Sequence, residues 1–237
     1  MKHQYFGNVN DYRKYGLLRA LSVASGLPIG VCWLLTEGDE RSDGEFRQYL
    51  SAPDRWRGHD EQLYDHLQRL LDPAVERSVQ HAEEWGLLPR AKYYTPVLKD
   101  SRPHREAYFG RAWGYLAEHP LIFFDPDNGL EPRNKKPGHK HSSRYLFWSE
   151  VEETYRLGHS LVIYQHFPRQ ERLSFTERLA QEAIRRLDAP LVDTYTTPQV
   201  LFLVIGRPEH HRAIAKGRTL IQRNWRGQIF PHSHVMG

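Results

Sequence analysis

The sequence predicts a three-layer α/β fold built on a mostly parallel, Rossmann-like sheet. Short apolar runs at 29–35, 121–124 and 161–164 show no polar alternation, as befits strands buried on both faces. Longer stretches with helical apolar spacing lie between them. Parallel strands require such alternation, because each crossover takes a dozen or more residues. At 237 residues the chain reads as one α/β domain, residues 1–237.

The elements follow in order. Tyr15, Leu17, Leu18, Leu21 and Val23 recur at helical spacing, and Gly26 and Pro28 close that helix. Ile29 to Leu35 is a strand ending in the charged loop Thr36 to Gly44. Residues 45–88 read as helical, with Leu63, Leu67, Leu70 and Leu71 on one face and Val75, Val79 and Ala82 after the Asp72-Pro73 break. No linker composition flanks 45–90, so it is expected as a helical insertion within the domain. A short strand is expected at 91–98 and a helix at 103–118. The buried strand 121–124 follows, then a helix over 150–157, the strand 161–164, and a helix at 174–188. A strand at 200–205 and a helix near 208–224 lead into a tail rich in Trp, Arg and His.

Composition narrows the setting. Charged residues make up 26% and aromatics 12%, which fits a soluble, ordered chain. No apolar run is long enough for a membrane span, and the N-terminus lacks an apolar signal core, so no membrane partner is expected. Cys32 is the single cysteine. With neither a disulfide nor a cysteine zinc site within the chain, a cytoplasmic location is expected.

The chemistry gathers at strand ends. Leu121-Ile122-Phe123-Phe124 runs into Asp125-Pro126-Asp127-Asn128-Gly129-Leu130-Glu131. Such a turn is also a common local device, with Asx hydrogen bonds and exposed acids. In open α/β sheets, however, ligands bind outside the carboxyl ends of strands. If the strands at 29–35, 121–124 and 161–164 are neighbours, their ends deliver Thr36 with Asp39 or Asp43, Asp125 with Asp127, and Gln165 with His166. The loop from Arg133 to Arg144 is basic, which suits a polyanionic partner such as nucleic acid. Arg218, Arg223, Trp225, Arg226 and Phe230 in the tail suit nucleic-acid contact, or equally a surface helix with a docked tail.

The opening Gly7-Asn8-Val9-Asn10-Asp11-Tyr12-Arg13-Lys14 resembles that of the J-type 23S ribosomal RNA adenine-N6 methyltransferases. Those begin with Gly-Asn-x-x-Asp-x-x-Lys, followed by a core strand, a helical insertion and an Asp-Pro-Pro-Tyr strand end. Gly7, Asn8, Asp11 and Lys14 match the opening, and Asp125-Pro126 match half of the tetrapeptide. The resemblance implies a class I methyltransferase fold with S-adenosylmethionine as cofactor. Asp125 would then orient a target amine, while Asn8, Asp11 and Lys14 shape the cofactor or substrate side. Two departures stand out. The loop after the first strand has few glycines, and Asp127-Asn128 replaces Pro-Tyr, so Phe167 or Trp148 would have to supply the stacking ring.

Three functions remain open. One is methyl transfer to nucleic acid, with Asp125, Asp127 and His166 as the catalytic set and Asn8, Asp11, Lys14, Thr36, Asp43, Asn128 and Gln165 binding substrate or cofactor. The second is a nuclease or phosphodiesterase using Mg2+ or Mn2+ on Asp125 and Asp127, with Asp43 or Glu131 completing the shell. The third is a non-catalytic nucleic-acid-binding protein on a degenerate form of the fold.

Overall fold

The computed structural model describes residues 1–38 and 46–235. Its strands are β1 (Ile29–Cys32), β2 (Lys92–Tyr94), β3 (Leu121–Phe124), β4 (Gly129–Leu130), β5 (Tyr145–Leu146), β6 (Ser160–His166), β7 (Leu191–Thr196), β8 (Val200–Ile205) and β9 (Phe230–Val235). Its helices are α1 (Val9–Ser25), α2 (Pro53–Trp56), α3 (Glu61–Gln68), α4 (His81–Glu84), α5 (Arg102–Leu116), α6 (Trp148–Arg156), α7 (Arg172–Leu187) and α8 (His211–Asn224).

Seven strands form one sheet in the order β2-β1-β3-β6-β8-β7-β9. β2, β1, β3 and β6 pair in parallel. β8 runs antiparallel to both β6 and β7, and β9 runs antiparallel to β7. β7 therefore points the same way as the parallel strands. The three strands expected as neighbours are neighbours, in a register that pairs Ile29 with Leu121 and Leu121 with Ser160. Cys32, Phe124 and Ile163 stand level, where β1 and β3 end, and β6 continues beyond them to His166.

Alternate residues of each core strand enter two separate apolar clusters. Val31, Phe123, Val162 and Phe202 pack with α1, α8 and the 46–90 region. Ile122, Phe124, Ile163 and Leu203 pack with α5, α6 and α7. That gives the three layers and explains why the strand sequences lack polar alternation.

Three expectations need correction. The described part of the 45–90 insertion is a chain of short pieces rather than long helices: α2, α3, α4 and intervening 3-10 turns. Pro53, Gly58, Pro73 and Gly86 interrupt it, and Leu71, expected on the buried face, is exposed. The strand expected at 29–35 ends at Cys32. Leu34 then adopts a left-handed backbone (φ 48), and Leu35 bridges Val97. Finally, β7 and β9 lie in segments not expected as strands. β7 buries Asp193, which binds Arg218 and the Ser233 hydroxyl. Trp225 is buried against Tyr12, with ring centroids 4.8 Å apart. Of the two readings of the tail, docking accounts for Arg218 and Trp225. Among the described residues no helix is long and apolar enough to cross a membrane.

Helix α1 packs tightly on the carboxyl-terminal part of the chain at Gly16, where an added Cβ would lie 1.9 Å from the Trp225 ring. Gly110 of α5 faces open space. Gly16→Ala should therefore lose about 1–3 kcal/mol to overpacking despite better helix propensity. Gly110→Ala should gain about 0.5–1 kcal/mol. Paired denaturant melts check both signs.

Candidate functional site

The site begins at the start of α1. The Asn8 side chain caps the helix, accepting from the Asn10 N–H at 2.8 Å and the Asp11 N–H at 3.0 Å. Asp11 Oδ2 accepts from the Gly7 N–H at 3.0 Å, which fixes the carboxylate against the entering chain. Lys14 follows one turn later on the same face. Its ammonium lies 2.6 Å from Asp11 Oδ1 and 2.7 Å from Asp125 Oδ2, at the end of β3. The Tyr15, Trp33 and Tyr164 rings surround it at 5.1, 5.2 and 5.9 Å.

Lys14 is only 1% exposed. Burial alone would depress its pKa, but the charges of Asp11 and Asp125 outweigh burial and hold it above the ordinary lysine value. The Asp11 carboxyl is raised, chiefly by burial and further by Asp125, against the pull of Lys14. Among the described residues Asp125 Oδ1 has no hydrogen-bond partner, and Asp125 lines the cleft.

A second set of acceptors meets beside it. The α-ammonium of Met1 donates to the carbonyls of Leu34 (3.3 Å) and Asp125 (3.0 Å) and forms an ion pair with Asp127 at 2.7 Å. The Met1 carbonyl accepts from the Thr36 N–H, and the Thr36 hydroxyl donates to Asp127 Oδ2 at 2.8 Å. The left-handed Leu34, costly for a branched residue, turns its carbonyl into this group. Burial pushes the Asp127 carboxyl up, but the ammonium, the Thr36 hydroxyl and Lys2 more than offset it, leaving it below the usual range.

These groups border one cleft of about 390 Å³. Asn8, Asp11, Lys14, Asp125, Asp127, Asn128 and His166 line it together. His166 flanks Tyr164 with ring centroids 5.1 Å apart. Surrounding atoms desolvate it and push its pKa down, against the pull of Asp125 and Asp127, although the side chain itself reaches solvent at the rim.

Other expected residues stand elsewhere. Gln165 is buried behind the cleft, accepting from the Leu130 N–H and donating to the Asn128 and His166 carbonyls. Glu131 does not join Asp125 and Asp127. It lines a neighbouring cavity of about 400 Å³ and accepts from the Trp148 N–H. β4 pairs with β5 just before Glu131, and that small sheet turns the residue away. Phe167 and Trp148, expected as stacking rings beside Asp125, also line this second cavity. The aromatic walls of the Asp125 cleft are Tyr5, Phe46 and Tyr164. Asp39 and Asp43 lie outside the described residues.

Asp125 shares the Lys14 ammonium with Asp11, Asp127 pairs with the Met1 ammonium, and among the described residues no group of three His, Cys, Asp or Glu could hold an ion. Asp100 pins the basic loop instead, accepting from the backbone of His141 and of Ser143. Sequence reasoning missed Met1, Tyr164 and Arg144 as walls of the cleft, and Trp33 beside the Lys14 ammonium. The spacing of Asp11 and Lys14, one helical turn apart, was the available signal for the buried ion pair.

No protein-family model matches the chain, and no curated protein matches it. Among solved structures, the chain is similar to the crystal structure of protein LPL1258 from Legionella pneumophila, described under family model DUF519. That match has a TM-score of 0.49 and 11% identity, covering 97% of each chain.

Glu131 gives a test of the second cavity's electrostatics. Burial raises its carboxyl from 4.5 to about 7, with Glu150 adding and Arg186 opposing. A raised folded value means that stability is full below the unfolded value and is lost as pH rises through about 7. Glu131→Gln should therefore stabilise the protein at pH 8 by about 1 kcal/mol after solvent screening. At pH 4 it should change little. Thermal melts at the two pH values check this.

Proposed function

We propose that this chain is an S-adenosylmethionine-dependent methyltransferase-like protein acting on an exocyclic amine of nucleic acid. The observation that carries the reading is the pairing of functions at the end of β3. There Asp125 lines the cleft with one carboxylate oxygen unpartnered among the described residues, while its carbonyl already accepts from a primary ammonium.

Methyl transfer to nitrogen depends mainly on positioning and on stabilising the charge that develops on the attacking nitrogen. Lys14 holds one Asp125 oxygen, so the carboxylate cannot rotate, and the other is free to accept from a target amine. The resulting cationic nitrogen would sit beside Asp125, and its proton would leave to His166, which lines the same cleft, or to solvent. Tyr164, Tyr5 and Phe46 offer rings for stacking a base.

S-adenosylmethionine, when bound, supplies the methyl group. The carbonyl of Leu34, the N–H of Thr36 and Asp127 suit an α-amino acid, since they already bind the amine and carbonyl of Met1, and the Thr36 hydroxyl holds Asp127 in place. The Met1 segment would have to give way to it. The reversed strand β8 between β6 and β7 accords with the methyltransferase fold. The basic loop borders the cleft through Arg144, which supports a polyanionic substrate. Neutralisation of Asp125 and Asp127 by protein ammonium groups favours amine chemistry over the metal-dependent alternative.

Calorimetry with S-adenosylmethionine should show one-site binding, and labelled methyl groups should enter mixed RNA or DNA. Asp125→Ala should cut incorporation at least about 100-fold, as loss of a single preorganised group does. Asp127→Asn should weaken cofactor affinity while leaving turnover at saturation largely intact. Absence of binding and incorporation, with magnesium-dependent cleavage instead, would refute the proposal.

A further inference from the structure

The second cavity has no role in the chemistry above, yet it is built like a binding site. Trp148, Phe167 and Phe175 form its aromatic walls, with Glu131 between them and Arg133 and Arg178 among its lining residues. Phe167 and Phe175 are only partly buried, with ring centroids 6.2 Å apart. Arg172, Arg178 and Arg186 lie over Phe167, Phe175 and Trp148 at 5.0, 5.7 and 5.1 Å. Among the described residues, neither Arg133 nor Arg178 has a carboxylate partner, and Arg178 donates to the Gln170 amide. The cavity meets the Asp125 cleft at Asn128 and His166, which line both.

The geometry points to a nucleobase pocket, separate from the reacting amine. Aromatic walls take the flat faces of a base without regard to its identity. Glu131 supplies an edge contact. A protonated carboxyl both donates and accepts, so it pairs with the amine and ring nitrogen of adenine or cytosine and, with its two oxygens exchanged, with the imide of uracil. An ionised carboxyl has no donor and leaves one of the two bonds unmade. The arginines at the rim suit the phosphate that a base carries.

A strand reaching the Asp125 cleft could place a neighbouring base here, and so could a free nucleotide. The strand version rests on the methyltransferase reading, whereas the pocket itself does not. The protonation state of Glu131 is set first by burial, which raises its pKa, then by the backbone N–H groups of Trp148 and of Glu131 itself, which lower it, and by Glu150 of α6 and Arg186 of α7. Glu182 of α7, Arg133, Arg178 and His166 also line the space.

The test is calorimetry of the full chain with adenosine, cytidine and uridine, and with the trinucleoside diphosphates ApApA, CpCpC and UpUpU, at pH 6 and 8. Every ligand should bind at least about fivefold more weakly at pH 8 than at pH 6. Phe167→Ala should cost all ligands about tenfold or more. Glu131→Gln, close in shape, should keep binding at pH 6 within about threefold, because glutamine offers one donor and one acceptor, and should remove the pH dependence. A trinucleotide advantage over the nucleoside of about tenfold or more identifies a strand as the occupant, and equal affinity a free nucleotide. Wild-type affinities that do not change between pH 6 and 8, affinities unmoved by Phe167→Ala, or no binding at millimolar concentration would each overturn the pocket. A parallel titration with S-adenosylmethionine keeps the two proposals apart, since Phe167→Ala should leave that affinity unchanged.

Discussion

The buried ammonium of Lys14 between Asp11 and Asp125 is the interaction on which the site depends. It joins the first helix to the end of the third strand, positions far apart in sequence and side by side in the fold. Charges this deep are tolerated only when paired, and removal of one partner leaves the others uncompensated. The surplus carboxylate is the informative part. Two acids share one ammonium, and Asp125, which lines the cleft, keeps one oxygen without a hydrogen-bond partner among the described residues.

The sheet places everything else relative to that pair. Because β1, β3 and β6 are level parallel neighbours, Leu34 and Thr36, Asp125 and Asp127, and His166 arrive on one edge. The early end of β1 at Cys32 frees Leu34 to turn backwards and aim its carbonyl at the amine-binding group. The small β4–β5 sheet then divides the edge in two, with Asp127 on one side and Glu131 on the other. A single acidic stretch of sequence thereby serves two cavities with different chemistry. One is built around fixed charges, and the other around aromatic walls and a carboxyl that titrates near neutrality.

Much of this was legible in the sequence for identifiable reasons. Leu121 to Phe124 and Leu161 to Tyr164 are apolar runs that fit no exposed element, and the abrupt change to Asp125 marks a strand end. Asn8 and Asp11 announce a helix start, with Lys14 one turn on. β7 was not legible because Asp193 and Thr194 break its apolar pattern, and their compensation comes in part from residues about 40 positions away. β9 is an edge strand of exposed or half-buried residues, with Pro231 and two histidines among them, held by the backbone of β7, so its side chains carry little strand signal. Glu131 was grouped with Asp125 and Asp127 because sequence proximity conceals the two-residue strand that separates them.

A crystal structure of the protein with S-adenosylhomocysteine tests the account most directly. The account predicts that the ligand's α-ammonium lies between the carbonyls of Leu34 and Asp125 and against Asp127, with the Met1 segment displaced and the Lys14–Asp125 pair intact. A ligand bound away from these acceptors, or a cleft that keeps Met1 and takes up no ligand at saturating concentration, would contradict it.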